Sequence, residues 1–497
     1  MLRPHGRMGQ AITRPSAILE EPTLPTTPSA APPKVDHPTA AERAERGKAA
    51  RAKVPRSSHG EWASAADRRD PLDLLAEQAT TRVPDLVPIR HGRMAASAFA
   101  FYRGAAYGMA ADLAPAPRSG LNVQLCGDAH LANFGGFASP ERSLVFDIND
   151  FDETLPGPFE WDVKRLAASL DIAARSRQID AKARTAIVTA AVCSYREAIR
   201  TFATMSNLDV WYTHLDVDTI LKTWGQDIGG AAVKNMQRMV QKAESKDRLK
   251  AKAKLTQLVN GELQFLSDPP LLVPADEVFA EIDHQQIDTS IRDAMRAYRR
   301  TLSGDRRRLL ESYEYTELAR KVVGVGSVGT RAWLVLLVGR DNDDPLFLQV
   351  KEAEASVLEP FVKKSAFANH GQRVVEGQRL MQATSDIFLG WQRVDGVDGR
   401  THDYYMRQLW DWKASADVDV MTPQVLSVYG QMCGWALARG HARSGDRIAI
   451  ASYLGASGSF DKALAEFARL YADQNELDHA ALVAGIADGR VMAQSGI

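Results

Sequence analysis

The spacing of apolar positions predicts a largely helical first half of the chain. Residues 97–114 (SAFAFYRGAAYGMAADLA) are mostly apolar, which favours a buried helix that ends before Pro115. Residues 161–177 (WDVKRLAASLDIAARSR) carry apolar side chains three to four positions apart, as in an amphipathic helix. The same criteria predict a helical region over 205–310, to which no role is assigned. Further helices are predicted at 71–79, 181–205 and 216–254, and short strands at 122–126 and 144–148.

The periodicity changes near residue 318. Three runs rich in β-branched residues, ELARKVVGVG, TRAWLVLLVG and PLFLQVKEA, are separated by glycines and by an Asp-Asn-Asp-Asp turn. Residues 369–382 return to a helical pattern, and 387–394 and 403–412 are typical of strands. From Thr422 onward the pattern is helical again. The chain is therefore predicted to be α+β, with a five-stranded region between helices.

The first part of the chain is poor in core-forming residues. Nine of the 23 prolines lie within residues 1–57, so we expect residues 1–70 to form a mostly disordered arm. Residues 41–53 (AERAERGKAARAK) could form a transient basic helix. A solvated arm is the favoured interpretation of this segment, and binding to an anionic partner is the alternative.

Composition excludes several functional classes. The sequence has 61 Lys+Arg and 62 Asp+Glu, a balance that argues against a general nucleic-acid binder. Three widely spaced cysteines exclude a disulfide framework and a CxxC zinc module. No apolar stretch approaches the ~20 residues that span a bilayer, and the N-terminus lacks the apolar core of a secretory signal. We therefore expect a cytoplasmic protein that does not enter a membrane.

The densest chemistry lies in residues 126–153 (CGDAHLANFGGFASPERSLVFDINDFDE). Asp128 and Asn133 follow one predicted strand, and Asp147 ends the next, with Asp150 close behind. Clustered carboxylates repel one another unless a cation is present, and oxygen ligands are those that Mg²⁺ prefers. Asp and Asn also stabilise turns, so a purely structural role is the alternative for each residue.

The segment GDAHLAN resembles the catalytic loop of aminoglycoside phosphotransferases and related kinases, which reads HGDxHxxN, and FDINDFDE resembles their metal-binding segment. The resemblance implies that Asp128 orients and accepts the proton of the substrate hydroxyl, while Asn133 and Asp147 hold Mg²⁺. Asp150 is the second choice for the metal ligand. The segment PFEWDVKRLAASL resembles the helix whose first Asp, here Asp162, supports the loop. Cys126 departs from the family, which has His there.

The segment GVGSVG (324–329) fits GxGxxG, with Gly324, Gly326, Ser327 and Gly329 at its defining positions. A dinucleotide-binding turn would be followed by a helix, whereas the next residues here, TRAWLVLLVG, predict a strand. The motif therefore lies in a hairpin, like the kinase loop that covers ATP phosphates, although a purely structural hairpin is the alternative.

The kinase resemblance assigns further nucleotide-binding residues after this hairpin. Lys351, at the end of LFLQVKEA, corresponds to the lysine of the third kinase strand, and Glu376 to the helix glutamate that pairs with it. Glu354 and Glu359 are alternatives to Glu376, and an ordinary surface lysine is the alternative for Lys351. Gln408, with Leu409 and Trp410, would line the adenine pocket.

The order of these motifs is inverted, because a kinase has its glycine-rich loop before its catalytic loop. We therefore expect a circularly permuted, two-lobed protein-kinase-like fold, since permutation is tolerated where termini lie at the surface. The chain as a whole resembles a bacterial family known as domain of unknown function 2252, through segments such as CGDAHLANFG, FDINDFDETLPGPFEWDVKRLAAS and VVGVGSVGTR. The expected organisation is a helical lobe (71–315), a β-rich nucleotide lobe (316–412) and C-terminal helices packed on the helical lobe (413–497).

The resulting hypothesis is a phosphotransferase that uses ATP and Mg²⁺ and acts on a small hydroxylated molecule. A nucleotide-binding pseudokinase or regulatory module is one alternative. A metal-dependent phosphohydrolase built on the carboxylates of 128–153 is the other, and it requires Lys351 to lie far from Asp147. The acceptor and the oligomeric state remain open.

Overall fold

The computed structural model describes residues 36–496 except 245–247, 282–283, 323, 397 and 410–411. It is a mixed α+β structure with 53% helix and 16% strand in several sheets, which confirms the predicted class. Two units are distinguished, Met1–Thr39 and Ala40–Ile497, and the second is a single compact body. Of the first, only residues 36–39 are described, without regular secondary structure, so the predicted disorder of 1–35 lies outside the described residues.

The helices are numbered in chain order. They are α1 Ala40–Lys53, α2 Pro71–Ala79, α3 Val87–Ala95, α4 Ala98–Gly104, α5 Ala106–Leu113, α6 Phe159–Ser176, α7 Ala181–Thr204, α8 Asn207–Tyr212, α9 Val217–Glu244, α10 Arg248–Leu255, α11 Ala275–Val278, α12 His284–Arg299, α13 Gly304–Leu310, α14 His370–Met381, α15 Pro423–Ser444, α16 Arg447–Leu454 and α17 Ser459–Ala487. Among the described residues, no helix combines the length and apolar character needed to cross a membrane.

The strands are numbered in the same way. They are β1 Asn122–Leu125, β2 Phe134–Ala138, β3 Leu144–Ile148, β4 Leu155–Pro158, β5 Thr256–Val259, β6 Glu262–Phe265, β7 Leu272–Pro274, β8 Glu314–Lys321, β9 Ala332–Val338, β10 Pro345–Ala353, β11 Gly390–Asp395, β12 Thr401–Gln408 and β13 Ala414–Ser415.

The main helical core is built around α6, almost all of which is buried. Helices α7, α15 and α17 pack around it, and close approach of α15 to α7 depends on small residues. A Cβ on Gly434 would lie 2.3 Å from the carbonyl oxygen of Ala191, so only glycine fits there. This core supports β1, the pair it forms with β4, and the small sheet β13-β2-β3.

The β-rich region is one antiparallel sheet with the strand order β11-β12-β10-β9-β8-β7. Along β10, Leu346, Leu348 and Val350 enter an apolar cluster with α12 on one face. Because side chains alternate along a strand, Gln349 and Lys351 point to the opposite face. That face borders the cavity described below.

The ordered chain begins earlier than the predicted boundary at residue 70. Helix α1 packs against α16, where a Cβ on Gly47 would lie 2.0 Å from the carbonyl oxygen of Ala449, and Ala50 is buried. Arg43 adds an ion pair of 2.8 Å to Asp446. The small residues Gly47 and Ala50, one turn apart, form the contact stripe that makes this segment part of the ordered unit.

The predicted helical region 205–310 also contains strands. Strands β5 and β6 form a hairpin whose two turn residues, Asn260 (φ +52°) and Gly261 (φ +89°), are left-handed. An Asn-Gly pair between two strands favours this turn, because both positions require positive φ. Strand β7 extends the large sheet to six strands, one more than the sequence predicted.

Candidate functional site

A cavity of about 700 Å³ lies between the β8–β12 part of the sheet and the loop that follows β1. Its lining is strongly charged, with nine Lys or Arg side chains and five Asp or Glu side chains. Residues that the sequence singled out line it, among them Asp128, Asn133, Asp150, Lys351, Gly324 and Gln408. Gly326 and Ser327 line it as well, so motifs about 200 residues apart meet in one cavity.

The loop 126–133 is held from below by α6. Asp162, in the first turn of that helix, accepts hydrogen bonds from the backbone N–H groups of Cys126 (2.8 Å) and Gly127 (3.1 Å). Gly127 has φ +84°, and a Cβ there would lie 2.3 Å from the carbonyl oxygen of Glu153. The support by Asp162 that the kinase resemblance implied is therefore present, and the loop conformation requires glycine at 127.

Asp128 is fixed on one side and open on the other. Its Oδ1 accepts from Arg165 Nε at 2.7 Å, while its Oδ2 lies 3.6 Å from Nε2 of His130. Burial lowers the pKa of His130 to about 4, against the opposing effect of the Asp128 carboxylate. The imidazole is therefore neutral near pH 7, and Asp128, oriented by Arg165, faces the cavity.

Asn133 joins the loop to the acidic segment that follows β3. Its Nδ2 donates to the carbonyl oxygens of Asp128 (3.0 Å) and Asp150 (3.0 Å). Both amide hydrogens are thereby used, so the side-chain oxygen is the atom that Asn133 can offer to a ligand. The side chain is 4% exposed, which makes this orientation well defined.

Lys351 is buried, at 2% exposure, and pairs with two carboxylates across the cavity. Its Nζ lies 3.0 Å from Asp150 Oδ2 and 2.6 Å from Asp152 Oδ2. Burial alone would lower the pKa of Lys351, but the two carboxylates outweigh it and hold the pKa above its ordinary value. Burial likewise opposes ionisation of Asp150, yet Lys351 and Arg407 hold the pKa of Asp150 below its usual range.

The glycine-rich segment connects β8 to β9 as a short helical turn in an antiparallel hairpin. Its Ser327 hydroxyl donates to Asp152 Oδ2 at 3.1 Å, so the turn is tied to the carboxylate that binds Lys351. Gly329 has φ +92° and its carbonyl accepts from the N–H of Val83 at 2.7 Å. Gly329 therefore shapes the turn from outside the cavity, whereas Gly324, Gly326 and Ser327 face it.

Asp147 does not line the cavity, although it was the first choice for the metal ligand. It is 2% exposed and forms a buried ion pair of 2.5 Å with Arg439 of α15, while Oδ1 accepts from the N–H of Ile148. Side chains alternate along β3, and residue 147 falls on the face toward α15. Of Asp147 and Asp150, only Asp150 lines the cavity and can contact a ligand there.

Glu376 is also placed elsewhere. It is 36% exposed and pairs with Arg379 one turn along α14, and the partners of Lys351 are Asp150 and Asp152. Arg373 is a buried side chain of α14 that reaches the acidic segment, where it donates to the carbonyl oxygens of Asp152 and Thr154, both at 2.8 Å. The lysine–glutamate pair that the kinase resemblance implied is not formed between Lys351 and Glu376.

Gln408 and Leu409 line the end of the cavity where β12 ends, and Trp410 lies outside the described residues. The N–H of Gln408 donates to Asp386 Oδ2, and the N–H of Leu409 donates to the carbonyl oxygen of Phe347 at 2.9 Å. The backbone after β12 is thus fixed on the sheet beside the cavity.

Several charged residues of the cavity were not assigned a role from sequence. Asp152 accepts from Tyr405 Oη at 2.6 Å in addition to Lys351 and Ser327, which makes it the most connected carboxylate here. Arg407 donates to the carbonyl oxygen of Asn149 at 2.8 Å. Arg407 and Tyr405 could have been found from the two-residue period of β12, which places both on the face that holds Lys351.

Within the described residues, no group of three or more His, Cys, Asp or Glu side chains is arranged to hold a metal ion by itself. The oxygens of Asp150 and Asn133 at the cavity instead form a sparse donor set. Mg²⁺ is commonly held by one or two carboxylates together with substrate phosphates, so this set fits a nucleotide-bound Mg²⁺.

Comparison with known proteins leads to one family. No curated protein and no solved structure matches the chain. The family model described as "Uncharacterized protein conserved in bacteria (DUF2252)" matches residues 82–485, which include every cavity residue discussed above. The chain therefore belongs to the DUF2252 family of bacterial proteins.

Proposed function

We propose that the protein is a kinase-like phosphotransferase that uses ATP and Mg²⁺ and acts on a small hydroxylated molecule. The observation that carries this proposal is the pairing of Lys351 with Asp150 inside a cavity that also contains Asp128, Asn133 and the glycine-rich turn. A conserved kinase arrangement needs the same parts: a catalytic Asp, a metal-binding Asn and Asp, a phosphate-binding Lys and a glycine-rich loop.

The order of elements in the sheet supports the kinase comparison. The glycine-rich turn joins β8 to β9, Lys351 lies on the next strand, β10, and α14 follows before β11 and β12. In protein kinases the glycine-rich loop, the third-strand Lys and helix αC follow one another in this sequence. We therefore propose a two-lobed kinase-like fold in which the nucleotide lobe follows the catalytic loop along the chain, a circular permutation.

The glycine-rich turn and four side chains of the cavity each have a role in this proposal. Mg²⁺ bound by Asp150 and Asn133 would neutralise phosphate charge. Lys351 holds phosphate oxygens, and the backbone of the glycine-rich turn covers them. Asp128 orients the acceptor hydroxyl and takes its proton as the acceptor oxygen bonds to the γ-phosphorus and the bond from that phosphorus to the β–γ bridging oxygen breaks, releasing ADP.

The phosphohydrolase alternative is weakened by the sparse donor set, because it needs a metal site that is complete without nucleotide phosphates. The pseudokinase alternative has support from Glu376, since the helix glutamate of active kinases is not paired with Lys351 here. Binding and turnover must therefore be measured separately.

The test is titration of ATP with Mg²⁺ into the wild type, Lys351→Met and the exposed control Lys364→Met by calorimetry. Removing a charge-assisted phosphate contact is expected to weaken ATP binding about tenfold or more in Lys351→Met, with no change in Lys364→Met. Equal affinity in wild type and Lys351→Met would contradict the nucleotide site. Thermal melts of each variant establish that it is folded.

Turnover is measured as ADP formation across a library of hydroxylated metabolites. Asp128→Asn is expected to bind ATP and to lose about 10²–10⁴-fold in turnover, the range that positioned proton transfer contributes. ATP binding by the wild type without ADP formation from any acceptor would favour the pseudokinase. Phosphate release that is insensitive to Lys351→Met would favour the phosphohydrolase.

A further inference from the structure

One wall of the cavity carries positive charge that the nucleotide proposal does not use. Its side chains come from the turn after α2, from α3 and α4, and from the end of β8. We call it the cationic wall, and it consists of Arg82, Arg90, Arg93, Arg103 and Lys321.

Four buried nitrogen donors of this wall, on Arg82, Arg90 and Arg103, have no protein acceptor in the described part of the chain. Arg90 is 1% exposed, and its Nη2 donates to the carbonyl oxygen of Gly104 (2.9 Å) and to Gln78 Oε1 (3.2 Å). Its Nε and Nη1 are buried without a partner, as are Nε of Arg82 and Nε of Arg103. The partners of Arg90 are thus neutral oxygens, and its charge is not balanced by a carboxylate ion pair.

The electrostatics of the wall agree with this geometry. Burial is the main cause that lowers the pKa of every member, and the charge of Arg82 lowers the pKa of Arg90 further. Nearby carboxylates oppose the shift at Arg82 and Arg103, whereas none does so at Arg90. A buried cation without a carboxylate partner, such as Arg90, is costly because it gives up hydration that no carboxylate replaces. A bound anion would supply the missing charge and accept from the unused N–H groups.

The side chains of the wall are not among those proposed to hold ATP and Mg²⁺. Ser327 of the glycine-rich turn reaches Asp152 and hence Lys351, whereas the carbonyl oxygens of Gly326 and Val328 accept from Arg82. Arg103 lies close enough to Asp128 for that carboxylate to act on its pKa. The wall therefore extends from the turn toward Asp128, where the acceptor hydroxyl must lie.

We propose that the cationic wall binds a phosphate group carried by the acceptor, so that the substrate is a hydroxy compound that is already phosphorylated. Guanidinium groups favour phosphate because their planar N–H pairs match two of its oxygens, and a phosphate dianion offsets two of the wall's charges. The substrate class rests on the proposed function, whereas phosphate binding by the wall does not.

Calorimetric titration with inorganic phosphate tests the wall itself, at constant ionic strength. Arg90→Gln and Arg103→Gln are each expected to weaken phosphate binding about tenfold or more relative to the wild type. The matched control is Arg443→Gln, at a half-buried arginine outside the cavity that also has a buried Nε without a partner, and its affinity should equal that of the wild type. Retained phosphate binding in Lys351→Met would locate the anion at the wall.

Two results would overturn the inference: no saturable phosphate binding by the wild type, or a loss confined to Lys351→Met, which would place phosphate in the nucleotide site. The substrate class is tested by ADP formation with glycerol against glycerol 3-phosphate and with glucose against glucose 6-phosphate. Turnover restricted to the phosphorylated members supports it, and turnover restricted to the unphosphorylated members refutes it. The ATP titration of Lys351→Met tests only the proposed function. Failure of the proposed function can therefore be distinguished from failure of phosphate binding by the cationic wall.

Discussion

The buried carboxyl group of Glu153 should make the stability of the protein depend on pH, and Glu153→Gln should remove this dependence. The residue lines the cavity, and its Oε2 accepts from the N–H of Val357 at 2.8 Å. Burial raises the pKa of Glu153 from 4.5 to about 7, although Arg373 and the N–H of Val357 oppose the shift. The carboxyl group is therefore neutral in the folded protein under conditions where it is ionised in the unfolded chain.

The sign and size follow from proton linkage. Between pH 4.5 and 7 the folded state holds a proton on Glu153 that the unfolded state has released, so stability falls as pH rises. The contribution is fully present below pH 4.5 and lost above pH 7. A raised pKa of this size corresponds to about 3 kcal/mol in total, and to about 2.5 kcal/mol between pH 5 and 8.

Urea unfolding of the wild type and of Glu153→Gln at several pH values from 5 to 8 measures this difference. Glu153→Gln keeps an acceptor oxygen but cannot ionise, so its stability relative to the wild type should rise by about 2.5 kcal/mol across the range. Glu262→Gln, at an exposed position on β6, controls for the general effect of the substitution. A wild-type-to-variant difference that stays constant with pH, or that falls, would refute the reasoning.

Two further predictions concern the support of the cavity. Arg439→Met should lower the free energy of unfolding in urea by about 3–5 kcal/mol, because it leaves the buried Asp147 without its ion-pair partner. The double variant with Asp147→Leu should recover part of that loss. A loss below about 1 kcal/mol in Arg439→Met would contradict a buried ion pair. Gly127→Ala should lower the melting temperature more than Gly120→Ala. Both positions have positive φ, but only a Cβ at 127 would meet a backbone atom, the carbonyl oxygen of Glu153. Equal shifts in melting temperature would exclude the steric explanation.

The parts of the site that could be predicted from the sequence are those whose residues lie close together along the chain. The hairpin around the glycine-rich turn, Lys351 on the following strand and the helix after it all follow from periodicity over a few residues. The loop with Asp128 and Asn133, supported by Asp162, follows from a short motif. In each case the relevant spacing is contained within one continuous segment.

Local sequence patterns could not decide whether Asp147 or Asp150 borders the cavity. A strand alternates its side chains between two faces, but which face borders a cavity depends on what packs against the other one. Here Arg439 of α15, 292 positions away along the chain, pairs with Asp147. Glu376 does not pair with Lys351 for a similar reason. The charge of Lys351 is balanced by Asp150 and Asp152, which come from a distant segment of the chain.

The segment 149–154 explains how regions about 200 residues apart build one cavity. Arg407 donates to its first carbonyl, Lys351 pairs with two of its carboxylates, and Arg373 donates to two of its later carbonyls. All of these contacts run between the large sheet, with its helix, and a loop anchored on the helical core. Because they are tertiary contacts, they do not depend on which region comes first along the chain. The inverted order of the motifs is therefore compatible with a kinase-like site.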